Sequence, residues 1–115
     1  MAKAVEVAWN LTPFRSDQFV DALTPYAEKA INYGAKGYLV VRQADDELIV
    51  KQYAFFENKS DWDRYWNSEL MQQCRVELAG HFAVPVLYTW QEVVAHGHVS
   101  GEGEEAAVAA SADVA

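Results

Sequence analysis

The chain of 115 residues contains one cysteine, Cys74, and far fewer basic than acidic side chains. A single cysteine excludes an internal disulfide. Nine Lys and Arg against seventeen Asp and Glu give a net charge of −8, so the basic patch that binds nucleic acid or an acidic membrane surface is missing. No apolar run approaches the roughly 20 residues of a membrane span. Since no signal-type amino terminus is visible, we expect a cytoplasmic protein without nucleic-acid or membrane partners.

The short motifs of common catalytic and cofactor sites are also missing. The sequence has no Gly-rich phosphate loop, no cysteine pair, no His-x-x-x-His on a helix and no nucleophile elbow. His96 and His98 lie close together, but they flank the start of an aperiodic tail, and no third ligand is near them in sequence. We therefore expect neither a metal site nor a bound cofactor.

The spacing of apolar residues predicts six elements in the order strand, helix, strand, strand, helix, strand. Alternation predicts strands at 3–11, 38–43, 47–56 and 84–94. Helical spacing predicts a first helix that has Ser16 as its N-cap, is kinked by Pro25 or restarts with Thr24 as a new cap, and ends at Gly34. This βαββαβ order is typical of an α+β, ferredoxin-like domain, in which two helices cover one face of a four-stranded antiparallel sheet.

A second helix is predicted from its cap at Ser60 to Gly80. Its apolar stripe, from Trp62 to Phe82, repeats every four residues, which drifts round a straight helix by about 40° at each step. A stripe of this length indicates a break in the helix. The pair Asn67-Ser68 supplies a second cap at the expected place.

Residues 1–96 are predicted to form one domain, and residues 97–115 a disordered tail rich in Gly, Glu and Ala. The third strand is apolar on both faces: Val50 and Ala54 lie on one, Tyr53 and Phe55 on the other. The helices can cover one face only, and a second copy of the sheet is the most economical cover for the other. We therefore expect a homodimer that forms through the sheet face.

Two polar groups among the predicted interior aromatic residues are candidates for a binding site. Asn10 lies near the end of the first strand on the same side as Glu6, and it either caps neighbouring backbone or lines a cavity. Trp66, with Tyr65 beside it, hangs from the second helix toward the sheet. Its indole N–H is either a donor in an apolar pocket or part of a core tryptophan.

Three more side chains of interest follow along the second helix. Arg75 lies about two and a half turns beyond Trp66 and points away from it unless the helix bends. His81 is interpreted first as a cation favoured by the helix C-terminus and second as a catalytic base. Cys74 falls in the apolar stripe, which indicates an inert core thiol.

The order of elements and two segments carry a family resemblance. The segments are Tyr53-Ala-Phe-Phe-Glu-Asn-Lys-Ser-Asp-Trp-Asp-Arg-Tyr-Trp66 and Pro85-Val-Leu-Tyr-Thr-Trp90. Over residues 3–95 the chain resembles the dimeric α/β-barrel superfamily, in particular antibiotic-biosynthesis-monooxygenase-like domains. The resemblance implies a dimeric α/β barrel. It leaves the activity open, because such domains include monooxygenases, haem-degrading enzymes, isomerases and proteins of no known activity.

Two branches of that superfamily imply different roles for the same residues. In the haem-degrading branch Asn10 and Trp66 match the pattern, but Arg75 or Val76 occupies the position of the haem-ligating histidine, and neither can serve as that ligand. In the quinone-forming monooxygenases, Asn, Trp and Arg hold the substrate and its oxygenated intermediate. Asn10, Trp66 and Arg75 supply these residue types, so haem degradation is the weaker interpretation.

The resemblance therefore implies a cofactor-independent monooxygenase that acts on a planar aromatic of the phenol or hydroquinone type. Its catalytic residues would be Asn10, Trp66 and Arg75, and the substrate-binding residues would be Glu6, Tyr65 and His81. The alternative is a non-catalytic dimeric module, either structural or binding a small apolar or aromatic ligand, in which Asn10 and Trp66 only pack.

Overall fold

The computed structural model describes residues 3–97, and no helix within this range is long and apolar enough to cross a membrane. The predicted order of elements is confirmed. The strands are β1 (Lys3–Asn10), β2 (Gly37–Arg42), β3 (Ile49–Phe56) and β4 (Leu87–Glu92), and the helices are α1 (Ser16–Glu28), α2 (Lys59–Trp66) and α3 (Glu69–Glu77). A 3₁₀ turn, Lys29–Tyr33, follows α1. The predicted tail, apart from Gly97, lies outside the described residues.

The four strands form one antiparallel sheet in the order β2-β3-β1-β4. The first strand is central, and Val7 lies opposite Gln52 of β3 on one side and Tyr88 of β4 on the other. This arrangement is the ferredoxin-like sheet, so the predicted fold class is confirmed. The last strand is shorter than predicted, because Pro85 cannot donate a ladder hydrogen bond and β4 begins only at Leu87.

Helix α1 differs from its prediction in how Ser16, Thr24 and Pro25 are used. Ser16 is the first helical residue instead of the cap, and its hydroxyl donates to the Glu47 carbonyl at 2.6 Å. The helix does not restart at Thr24, whose hydroxyl donates to the Val20 carbonyl at 2.8 Å. It continues through Pro25, which is exposed, so water can satisfy the carbonyl that this proline leaves unpaired.

The predicted second helix is two helices, and the break lies where it was expected. Ser68 caps α3 with an extended backbone (φ −68°, ψ 159°), and its hydroxyl accepts from the Met71 N–H at 3.2 Å. The predicted cap at Ser60 is wrong, because α2 begins at Lys59 after Asn58 and has no side-chain cap. Gly80 lies beyond the end of α3, where its φ of 87° turns the chain.

The core lies between the helices and one face of the sheet. Trp9 from β1, Phe19 from α1, Phe56 from β3 and Trp62 from α2 are all fully buried there. Along β3 the even-numbered residues are buried and the odd-numbered ones only half-buried, as the alternation predicted. We call the other side of the sheet the open face. It carries Glu6, Ala8, Asn10, Leu39, Val41, Ile49, Lys51, Tyr53, Phe55, Leu87 and Thr89.

Candidate functional site

Trp66, at the end of α2, has the planar groups of Trp62 and Arg75 as its two nearest aromatic or cationic neighbours. Its ring stacks on that of Trp62, with centroids 5.3 Å apart and an interplanar angle of 19°. The guanidinium carbon of Arg75 lies over the same ring, 4.5 Å from its centroid. An arginine over an indole is a favourable cation–π pair, so the three side chains hold one another in place.

The break between α2 and α3 explains how Arg75 reaches Trp66. Because α2 ends at Trp66, the carbonyl of this residue has no partner within its own helix. Arg75 Nη2 donates to this carbonyl at 3.0 Å, at the end of the helix that carries partial negative charge. A straight helix would have pointed Arg75 away. The helix bend that Arg75 needs to reach Trp66 is therefore present.

A cleft of about 450 Å³ opens beside Trp66 and Arg75. Apart from the guanidinium of Arg75, its side chains are apolar or aromatic. The lining residues are Trp66, Arg75, Ala79, Gly80, Phe82, Val84 and Val86. Walls of this composition, with a few placed polar groups, are typical of sites for small molecules.

One nitrogen of Arg75 is left over in this arrangement. Nη1 is buried, and it has no hydrogen-bond partner among residues 3–97. Burial lowers the pKa of the guanidinium, with smaller opposing effects from Cys74 and Tyr65. A buried donor that lacks a partner costs free energy, and a ligand acceptor would remove that cost. Arg75 therefore brings a cationic guanidinium with one unused donor to the wall of an otherwise apolar cleft.

Asn10 is not brought to this cleft. It is exposed at the end of β1, whereas its neighbour Trp9 is buried and contacts the Trp66 ring at 6.1 Å between centroids. Successive strand residues point to opposite faces, so Asn10 projects onto the open face. Its main-chain carbonyl accepts from the Ala83 N–H at 2.7 Å. This corrects the expectation that Asn10 and Trp66 line one pocket within a single chain.

Glu6, the second strand residue singled out, also lies on the open face. Its carboxylate accepts from the Tyr53 hydroxyl at 2.9 Å, and Lys51 Nζ lies 3.6 Å away. Desolvation, and then the hydrogen bond to Glu6, raise the pKa of Tyr53. The sheet separates this polar cluster from the cleft, so Glu6 does not contribute to the same site.

Tyr65 belongs to a buried polar network. Trp9 Nε1 donates to Gln52 Oε1 at 3.1 Å, Gln52 Nε2 donates to the Tyr65 hydroxyl at 3.0 Å, and Tyr65 donates to the Tyr26 carbonyl at 2.8 Å. Burial raises the pKa of Tyr65 far above its usual value. Gln52 is the residue that sequence reasoning missed. The available signal was a glutamine at an inward position between Val50 and Ala54.

His81 lies between two residues of the cleft wall, Gly80 and Phe82, but it is not one of the lining residues. Its Nδ1 is buried and has no hydrogen-bond partner in the described part of the chain. Its backbone joins the turn after α3 to the loop after β1, because its carbonyl accepts from the Thr12 N–H at 2.9 Å. His81 is thus next to the site, and its imidazole is outside it.

The lone thiol and the acidic groups offer no second site. Cys74 is fully buried, and burial raises its pKa to about 12, which agrees with an inert core thiol. Within residues 3–97 no three His, Cys, Asp or Glu side chains are grouped so that they could hold a metal ion.

Comparison with solved structures places the fold among known ones. A candidate antibiotic biosynthesis monooxygenase from Nitrosomonas europaea superposes with a TM-score of 0.73 at 16% identity, over 81% of this chain and 90% of that one. Another from Bordetella bronchiseptica gives a TM-score of 0.72 at 14% identity, over 82% and 98%. A third, from Caulobacter crescentus, gives 0.70 at 12% identity, over 82% and 91%.

These likenesses establish the fold of the chain. The chain has the ferredoxin-like α+β fold of antibiotic-biosynthesis-monooxygenase-like domains, and the predicted resemblance is confirmed at the level of fold. No family model matches the sequence, and no curated protein matches it either. At such low identities the shared fold does not carry a substrate or an activity from one chain to the other.

Proposed function

We propose that this chain binds a planar aromatic of the phenol or hydroquinone type as its anion, in the cleft beside Trp66 and Arg75, and oxygenates it without a cofactor. The observation that carries the proposal is Arg75, the charged residue in the wall of an otherwise apolar cleft, whose buried Nη1 has no hydrogen-bond partner among residues 3–97. A phenolate oxygen at this nitrogen would satisfy the donor and neutralise the charge. Such pairs are stronger where water is excluded.

The proposed chemistry needs little from the protein. A phenolate is electron-rich enough to reduce dioxygen directly, and phenol plus dioxygen balances to quinone plus water, with the substrate supplying all the electrons. Arg75 would lower the pKa of the bound phenol, so that its proton is released to bulk water. The cleft would hold the ring, exclude water and stabilise the negative charge that develops on oxygen.

Binding without turnover is the second candidate. The position of Asn10 favours it, because the cleft then offers only Trp66 and Arg75 of the three residue types that hold substrate in the quinone-forming monooxygenases. The shared fold with candidate monooxygenases supports the enzymatic alternative. The same cleft serves both, so they differ only in whether dioxygen is consumed.

A naphthol and its methyl ether form a matched pair of probes for this proposal. Tryptophan fluorescence should report tighter binding of the naphthol near neutral pH, and the bound naphthol should show the absorbance of the naphtholate. Arg75→Met should remove this preference, and Arg64→Met, an exposed arginine outside the cleft, should keep it. Equal affinity for both probes would refute anion binding. Oxygen uptake with a naphthohydroquinone then separates an oxygenase from a binding module.

A further inference from the structure

Trp66 is the first of three oxidisable rings that lead from the cleft to the surface. The ring of Trp62 lies 5.3 Å from that of Trp66 and 5.1 Å from that of Tyr88, between centroids. Tyr88 is also 6.0 Å from Trp66 directly. Trp62 is fully buried, whereas Tyr88 on β4 is 36% exposed. Contiguous aromatic side chains therefore join the cleft wall to solvent.

We propose that Tyr88, Trp62 and Trp66 form an electron relay that delivers one electron from the surface to an oxidised ligand in the cleft. A phenoxyl-type radical, which is a one-electron oxidant, gains that electron and becomes a phenolate beside Arg75. Tyr88 loses the electron together with its phenolic proton, which passes to water. A thiol in solution then returns a hydrogen atom to the tyrosyl radical and becomes a thiyl radical, and two thiyl radicals combine to a disulfide. The ligand radical as the oxidant rests on the proposed function, but the relay itself does not.

Local charge and hydrogen bonding give the relay a direction. The guanidinium of Arg75 over Trp66 disfavours a positive charge on that ring. A hole, that is, the positive charge left by a lost electron, therefore moves from Trp66 to Trp62. Trp62 Nε1 is buried and has no hydrogen-bond partner among the described residues. An oxidised Trp62 therefore has no acceptor for its indole proton, and it stays a strong oxidant toward Tyr88, which can release a proton to water.

Two aromatic neighbours of the relay, Tyr65 and Trp9, have no base that could take their proton. Tyr65 lies 5.7 Å from Trp62, but its hydroxyl donates to a backbone carbonyl, which is not a base, and burial raises its pKa. Trp9 lies 6.1 Å from Trp66, and its indole donates to the amide oxygen of Gln52. An oxidised ring at either position keeps its proton. From Tyr65 the charge can return to the relay or pass to Tyr33, whose ring lies 5.5 Å away between centroids.

Pulse radiolysis of the full chain without ligand tests the relay, with the azide radical as oxidant of tryptophan. The absorbance of indolyl radicals should decay as that of a tyrosyl radical grows, at a rate independent of protein concentration. Tyr88→Phe should reduce the tyrosyl growth several-fold. The matched control Tyr53→Phe, which removes a hydroxyl on the open face, should leave it unchanged.

A second pair of variants tests the middle of the relay. Trp62→Phe should slow the growth of the tyrosyl radical several-fold, and Trp90→Phe, on the same strand as Tyr88, should not. Unchanged growth in Tyr88→Phe, or a rate that scales with protein concentration, would overturn the relay even if Trp62→Phe fails to fold. Because no ligand is present, this failure is distinguishable from that of the proposed function, which the naphthol titration decides.

Discussion

Arg75 contacts both the indole ring and the backbone carbonyl of Trp66. The guanidinium carbon lies 4.5 Å from the indole centroid, and Nη2 donates to the Trp66 carbonyl at 3.0 Å. Both contacts depend on the helix break before Ser68. One helix ends at the Trp66 carbonyl, and the next helix, which carries Arg75, begins after Ser68. The geometry of the candidate site thus follows from a helix cap.

Replacing Arg75 by lysine should weaken the binding of a naphthol about tenfold, or about 1.4 kcal/mol. Lysine keeps the charge, but it lacks the planar fork that contacts the Trp66 ring and its carbonyl at the same time. Isothermal titration measures the change. Arg64→Lys, at an exposed arginine paired with Asp61, is the control and should bind as the original chain does. Equal losses in both variants would contradict the assignment of the site.

Ser68→Ala should lower the free energy of unfolding by about 1 kcal/mol, because it removes the cap of α3. Denaturant unfolding measures this loss. The control is Ser60→Ala, an exposed serine in the first turn of α2 that is not the cap, and it should change stability by less than about 0.5 kcal/mol. Naphthol affinity should fall only in Ser68→Ala, since the cap positions Arg75. Equal effects of both substitutions would show that Ser68 does not position Arg75.

Gln52→Leu should lower the free energy of unfolding by about 1–3 kcal/mol, although leucine is close in size and more apolar. The buried indole N–H of Trp9 would lose its acceptor, and the Tyr65 hydroxyl would lose one donor. Gln18→Leu, at an exposed position of α1, is the matched control and should change stability by less than about 0.5 kcal/mol. A Gln52→Leu variant that is as stable as the control would show that the network has no net value.

Stability should fall as the pH rises from about 10 to about 12, partly because of Tyr26. The hydrogen bond to Glu77, together with desolvation, raises the pKa of Tyr26 from 10.0 to about 12. The folded state then binds the Tyr26 proton more tightly than the unfolded state does. The contribution of Tyr26 to folding stability is therefore complete below pH 10 and is lost as the pH rises toward 12. Tyr26→Phe should flatten part of this decline in urea unfolding across the window. An unchanged slope would exclude Tyr26 as a cause.

We propose that two copies pair through the open face, which carries apolar residues from all four strands. Sedimentation at micromolar concentration should show a dimer, and Leu39→Glu, on this face of β2, should shift it toward monomer by burying an unpaired charge. Val76→Glu, on α3 and 76% exposed, is the control and should leave the dimer intact. A monomeric original chain would end this proposal.

Local sequence patterns were sufficient for the order of elements, the alternation in β3 and the helix break at Asn67-Ser68. Each of these depends on the spacing of neighbours or on a cap, which act over a few residues. The same strand alternation already separated Trp9 from Asn10. Applied to β1, this alternation would have placed Trp9, instead of Asn10, on the same side of the sheet as Trp66.

Only the tertiary structure decided which polar groups meet. The network through Gln52 joins residues far apart in the chain, and the contact of Arg75 with Trp66 depends on the angle between two short helices. A capping pair in the sequence predicts that a helix breaks, but the direction in which it restarts is set by packing against the other helices and the core. The sequence by itself therefore determined the fold class and the residue types, and long-range packing determined the cleft and the placement of Arg75 in its wall.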